Sequence, residues 1–175
     1  MDPSRLVFLD ESGAKTNMTR LYARAKKGER ALDYTPHGHW GTTTLVAALT
    51  EQGPIAPMVL DDPMDGAAFE AYLEQVLIPA LPQGCIVVMD NLSVHKSPSV
   101  PRRVHAAGAE LWYLPPYSPD FNPIELMWSK VKAALRGAQP RSQEALIDAI
   151  ANALQDVTPE QSHNFFGHAF VCMQS

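Results

Sequence analysis

Cysteine is scarce in this chain: Cys85 and Cys172 are the only two, far apart and without a CxxC partner. That excludes a disulfide scaffold and argues against a zinc site built on thiolates, so reduced thiols are expected. No run of about 18 apolar residues occurs, so no membrane span and no membrane partner is predicted. The first residues pass straight into a strand-like run, without the charged-then-apolar layout of a secretory leader. A cytoplasmic location is the expectation. Basic charge is short as well: 14 Lys and Arg stand against 19 Asp and Glu, a formal net charge of −5. A dedicated nucleic-acid-binding module is usually basic, so that class is disfavoured. Internal repeats, low-complexity tracts and a second-domain linker are also absent.

What is present fits one compact α/β domain: 175 residues with 46% hydrophobic content can bury a stable core alone. Residues 6–9, 41–50, 55–60, 85–89 and 110–114 read as strands, with residues 22–25 as a further candidate. Residues 67–77 have helical apolar spacing and should end at Pro79 and Pro82. Ser97-Pro98 looks like a helix cap and first turn, with Gly108 as the stop. Asn122-Pro123 opens a helix that buries Ile124, Met127, Trp128, Val131 and Leu135. Ser142 caps another, and Thr158-Pro159 starts a short terminal piece. Antiparallel strands followed by β-α-β alternation imply a mixed sheet with helices packed on it. The cations are unevenly placed. Arg20, Arg24, Lys26, Lys27 and Arg30 crowd one segment, and none follows until Lys96, Arg102, Arg103, Lys130, Lys132, Arg136 and Arg141. An acidic middle with basic flanks suits a metal centre with a phosphate-contacting rim, or simply solvated faces.

Three carboxylates stand out. Asp10 and Asp90 each close a short apolar run, and Glu125 opens an amphipathic helix. Each has a bland reading: Asp10 ends a strand, Asp90-Asn91 forms an Asx turn, and Glu125 is the third-position acid of a capping box with Asn122. Jointly they read as a metal site, because acids at the ends of buried strands are costly unless cations join them. Two Mg²⁺ ions would suit such hard oxygen ligands and would serve phosphoryl transfer.

Three blocks carry a resemblance. Phe8-Leu9-Asp10-Glu11-Ser12-Gly13, Val88-Met89-Asp90-Asn91-Leu92-Ser93-Val94-His95-Lys96 and Leu114-Pro115-Pro116-Tyr117-Ser118-Pro119-Asp120-Phe121-Asn122-Pro123-Ile124-Glu125 resemble the catalytic blocks of mariner-superfamily DDE transposases. The bacterial insertion-sequence branch is the best match, and the 34 residues from 91 to 124 give the spacing that branch shows. The resemblance implies a ribonuclease H-like fold with a mixed five-stranded sheet flanked by helices. It implies that Asp10, Asp90 and Glu125 ligate two Mg²⁺ ions, with Mn²⁺ able to substitute. The implied reaction hydrolyses DNA at transposon ends and joins the freed 3′-hydroxyl to target DNA. Asn91, His95, Lys96, Tyr117, Ser118 and Asn122 are further candidates, for DNA contact or for support of the three acids. His37-Gly38-His39 has no suitably spaced third ligand for a metal of its own.

Full-length members of that family carry a helix-turn-helix DNA-binding region ahead of the catalytic domain, and here the first catalytic strand begins near residue 6. The expectation is a single catalytic domain over residues 1–175. End recognition would then need a synaptic homo-oligomer or a chain that supplies the missing region. Two other readings compete: a catalytically silent relic or regulatory partner of a full-length transposase, and another ribonuclease H-like nuclease.

Overall fold

A computed structural model describes residues 2–34, 41–116 and 118–173. Five strands form one mixed sheet: β1 (Leu6–Ala14), β2 (Thr43–Thr50), β3 (Gly53–Leu60), β4 (Ile86–Met89) and β5 (Glu110–Tyr113), in the spatial order β3-β2-β1-β4-β5. The first three are antiparallel neighbours, and β4 and β5 add in parallel to β1. β1 is therefore the hinge of the topology, antiparallel on one side and parallel on the other.

Helices cover both faces. α1 (Gly66–Tyr72) runs through a π turn (Leu73–Leu77) into α2 (Ile78–Ala80), and α3 (Ser99–Ala106) packs beside them. The π turn lies just ahead of Pro79, whose ring would otherwise meet the carbonyl one turn back, so the proline is absorbed rather than ending the helix. The opposite face carries α4 (Ile124–Ala138), α5 (Gln143–Gln155) and α6 (Pro159–Met173).

The strand alternation sorts the core in two. Leu6, Phe8, Leu45, Leu49 and Val88 pack with Ile124, Trp128, Val131 and Leu135 of α4. Val7, Leu9, Val46, Val87 and Met89 pack with Phe69, Tyr72, Leu73 and Val104. Successive residues of β1 thus face different helices. Each fully buried large side chain contributes roughly 1.5–3 kcal/mol.

Three expectations need correction. Residues 22–25 form no strand: Tyr22 is 90% exposed and Leu21 66% exposed, so the apolar run finds no partner to pair with. The terminal piece is not short but a 15-residue helix, α6, anchored by Phe166 edge-on against Phe8 at 5.3 Å. Ser97 does not cap α3. Its hydroxyl donates instead to Glu70 of α1, as does that of Ser99. Ser142 does cap α5, accepting from the Ala145 N–H at 3.1 Å.

Candidate active site

β1 continues past Asp10 to Ala14, so Asp10 is a mid-strand residue rather than a strand end. It sits where the sheet forks. Pairing with β4 stops at Leu9 opposite Met89, while pairing with β2 runs on to Ala14 opposite Thr43. The chain leaves β4 at Asp90, beside that fork. Asp10 shares its face with Leu6 and Phe8, which is the face α4 covers, and Glu125 lies in the first turn of α4. Three separate segments thereby deliver Asp10, Asp90 and Glu125 to the lining of one cleft of about 460 Å³. Asn91, Lys96, Ser118 and Asn122 line it too.

The electrostatics of the cleft are one-sided. Burial, with Glu125, Asp90 and Glu11 nearby, pushes the Asp10 carboxyl up to about 7, against the opposing pull of the Glu11 backbone N–H. Near neutral pH the cleft thus relieves its repulsion by holding a proton. Asp90 goes the other way. Burial opposes its charge, but hydrogen bonds from His95 and the Leu92 N–H hold it below the ordinary carboxylate range.

His95 is the most constrained group of the site. It is 1% exposed, its ring lies on Phe69 at 4.4 Å, and its two nitrogens reach two acids. Nδ1 is 2.6 Å from Asp90 Oδ1, and Nε2 is 3.3 Å from Glu11 Oε1. Burial disfavours the charged ring, yet these two carboxylates outweigh it and push His95 up to about 9. As an imidazolium it donates to both. Tyr113 fixes the turn that carries it, its hydroxyl donating to the His95 carbonyl at 2.8 Å. Both bonds to Asp90, from His95 and from Leu92 N–H at 3.1 Å, use Oδ1 and leave Oδ2 to the cleft. The Leu92 bond is the Asx turn foreseen as a bland reading, and it coexists with the cleft-facing role.

Other sequence candidates fall into place unevenly. Asn91 donates from Nδ2 to the Leu114 carbonyl at 3.1 Å, tying the segments that leave β4 and β5. Lys96 is exposed at the cleft rim, and Ser118 donates to the Pro116 carbonyl at 3.3 Å. Asn122 does not cap α4. Its N–H donates to Pro119, and its Oδ1 is buried without a partner, so the capping box with Glu125 does not form. Trp128 is core, at 1% exposure. Arg102 and Arg103 sit on α3 across the sheet from α4, Arg103 pairing with Glu70 at 3.2 Å and with Glu74. They are no part of the cleft rim. Tyr117, His37, His39 and Trp40 lie outside the described residues.

Glu11 is the residue sequence reasoning missed. Strand alternation was the signal available: the residue after Asp10 must face α1, where only a buried partner would tolerate its charge.

The donors fit a hard divalent cation in kind: carboxylate oxygens from three segments and the orphaned Asn122 Oδ1 line the same cleft. No group of three or more His, Cys, Asp or Glu among the described residues is placed to hold a metal as it stands.

A family model, DDE superfamily endonuclease, matches residues 5–147. The chain belongs to the DDE superfamily endonucleases. Solved structures agree on the fold. A Mos1 transposase paired-end complex with left transposon end superposes with a TM-score of 0.76 at 19% identity, over 94% of this chain and 52% of that one. The Mos1 strand transfer complex gives 0.78 at 18% identity, over 98% and 53%. The Mos1 catalytic domain with raltegravir and Mg gives 0.69 at 16% identity, over 99% and 84%. The chain thus spans about half the length of the first two, and most of the catalytic domain. No curated protein matches the sequence. The fold of this DDE endonuclease is the expected ribonuclease H-like one. Among its described residues, no helix is long and apolar enough to cross a membrane.

Proposed function

We propose that this chain is a single catalytic domain that cuts transposon-end DNA and joins the 3′-hydroxyl to target DNA, using Asp10, Asp90 and Glu125 as ligands for two Mg²⁺ or Mn²⁺ ions. The observation that carries this reading is the convergence of those three acids on one cleft, where burial and their mutual repulsion raise the Asp10 carboxyl to about 7. Bound there, divalent cations would activate a water or hydroxyl nucleophile and stabilise the leaving oxygen. The protein's own contribution is placement. Asp90 offers Oδ2 while His95 and Leu92 hold Oδ1, and the rigid α4 aims Glu125. Support of this kind typically changes metal affinity 10–100-fold. Lys96 meets phosphate at the rim as a point charge, and Ser118 shapes the proline-rich wall.

The partners follow from the same reading: transposon ends and target DNA, a second copy in a synaptic complex, or a chain bringing a helix-turn-helix region. The strand transfer and left-end complexes of Mos1 are consistent with it. The test is nicking of supercoiled plasmid with Mn²⁺ or Mg²⁺. The wild type should nick and Asp90→Ala should not. A chain that binds full-length transposase yet never nicks with either ion would be the silent regulatory partner instead.

A further inference from the structure

β1 and α4 leave the acidic cleft side by side and together enter a second one. Gly13, Ala14 and Lys15 of β1 and its following turn, Thr42, and Lys132 and Arg136 of α4 line a cavity of about 280 Å³. On α4, Lys132 and Arg136 stand seven and eleven residues after Glu125, so all three share one stripe of the helix. At 1.5 Å per residue they lie about 10 and 16 Å further along the axis. On β1, Lys15 follows Asp10 by five residues. The two elements that supply acids at one end therefore supply cations at the other.

These cations are unspent. Lys132 and Arg136 are half-buried, and with Lys15 they make no side-chain hydrogen bond or ion pair among the described residues. Other half-buried or helix-borne cations are engaged: Lys130 donates to Asp156 and Gln161, Arg103 pairs with Glu70, and Arg5 with Glu110, whereas the exposed Arg20, Arg24, Lys26, Lys27, Arg30 and Lys96 face solvent. Arg141 donates to the Thr16 and Met18 carbonyls at 2.9 and 3.0 Å, anchoring the turn that forms the cavity wall. Interaction with the end of the α4 dipole accounts for Arg136 in the last turn, but not for Lys132 in mid-helix or Lys15 on another element. What sets these three apart is that they line one cavity between two elements, where an anion can meet all of them.

We propose that this cleft grips the phosphate backbone of the DNA flanking the cut. One strand of a duplex presents a phosphate about every 3.4 Å of axis, so 10–16 Å corresponds to about three to five phosphates from the acidic cleft. This rests on the proposed DNA-cutting function and adds a binding register to it.

The test measures duplex binding by fluorescence anisotropy across a salt series, in Ca²⁺ so that the acids are neutralised. Each lost phosphate contact should lower the slope of log affinity against log salt by about 0.9, so replacing Lys15, Lys132 and Arg136 with Ala should lower it by about 2.7. Arg102→Ala, on the opposite face, should leave the slope unchanged. If the triple variant melts early, Arg136→Glu alone should still weaken binding and flatten the slope. Neutral methylphosphonates three to five phosphates from the mapped nick should weaken the wild type and not the triple variant. A wild type that nicks DNA while the triple variant keeps its slope overturns the cleft and spares the cutting activity. A wild type that neither binds nor nicks duplex overturns both.

Discussion

Asp10 and Glu11 are neighbours on one strand, and the sheet sends them to opposite fates. Glu11 falls on the α1 face, where His95 meets its Oε1 at 3.3 Å and Phe69 covers the ring. Asp10 falls on the α4 face, where its neighbours are the charges of Glu125 and Asp90. One carboxylate has a partner built into the fold; the other shares a cleft with like charges. A fold can satisfy a buried acid at this depth, and on the Glu11 face it does. The Asp10 face keeps that repulsion, and a stability cost is the consequence; the cations proposed above would relieve it.

The largest effect should come from removing an acid of the open face. Asp90→Ala should lower plasmid nicking at least about 10³-fold, since metal-centred charge stabilisation is worth several kcal/mol. A loss of under tenfold would mean that the cleft is not the reaction centre. Next comes Asp10→Asn, which should strengthen the metal-free fold while abolishing metal binding. The sign follows from the raised value: the folded state keeps a proton between the unfolded value of 3.8 and about 7, so stability falls as pH rises through that window. Above it the full cost is present, and Asn removes it. The gain in denaturant unfolding at pH 8 should be on the order of 2–4 kcal/mol, and it should vanish near pH 4.

On the closed face, His95→Ala should weaken Mn²⁺ binding about 10–100-fold by freeing Asp90. Its pH signature differs from that of Asp10. His95 is raised from 6.5 to about 9, so its contribution is present below 6.5 and lost as pH climbs to about 9. Unfolding curves of the variant should lack that loss. Glu11→Gln keeps an acceptor for Nε2 and should cost less than His95→Ala; an equal cost would show that charge rather than alignment matters. The smallest effect is expected of Asn91→Ala, which removes the bond to Leu114 for about 1 kcal/mol in thermal or denaturant unfolding.

Much of this was legible in the chain because local rules and tertiary structure agree. All five strands and the start of α4 follow from apolar runs and the Asn122-Pro123 break. β1 is longer than its apolar run, because pairing with β2 carries Asp10 to Ala14 onward in spite of their polarity. Pairing is also what residues 22–25 lack: Tyr22-Ala23-Arg24-Ala25 has only one good strand former, and the segment stays exposed. α6 was underestimated since its burial rests on Phe166 and Ala169 against a face that only the finished sheet creates. At the site, the three acids were readable from position and resemblance. The bonds from His95 to Glu11 and Asp90 span 84 and 5 residues of sequence, and no spacing rule reaches across the first of these. The failed cap at Asn122 has the same origin: its N–H is taken by Pro119, a choice made by the loop and not by the motif.

The most direct measurement is a calorimetric titration of Mn²⁺ into the metal-free chain at pH 6 and pH 8, in buffers of different ionisation heat. The account predicts saturable binding that is tighter at pH 8 and releases a proton near pH 7, as Asp10 gives up the one it holds. Asp90→Ala should show neither. Binding that is absent, or that persists unchanged in Asp90→Ala, would contradict the claim that these acids form a cation site.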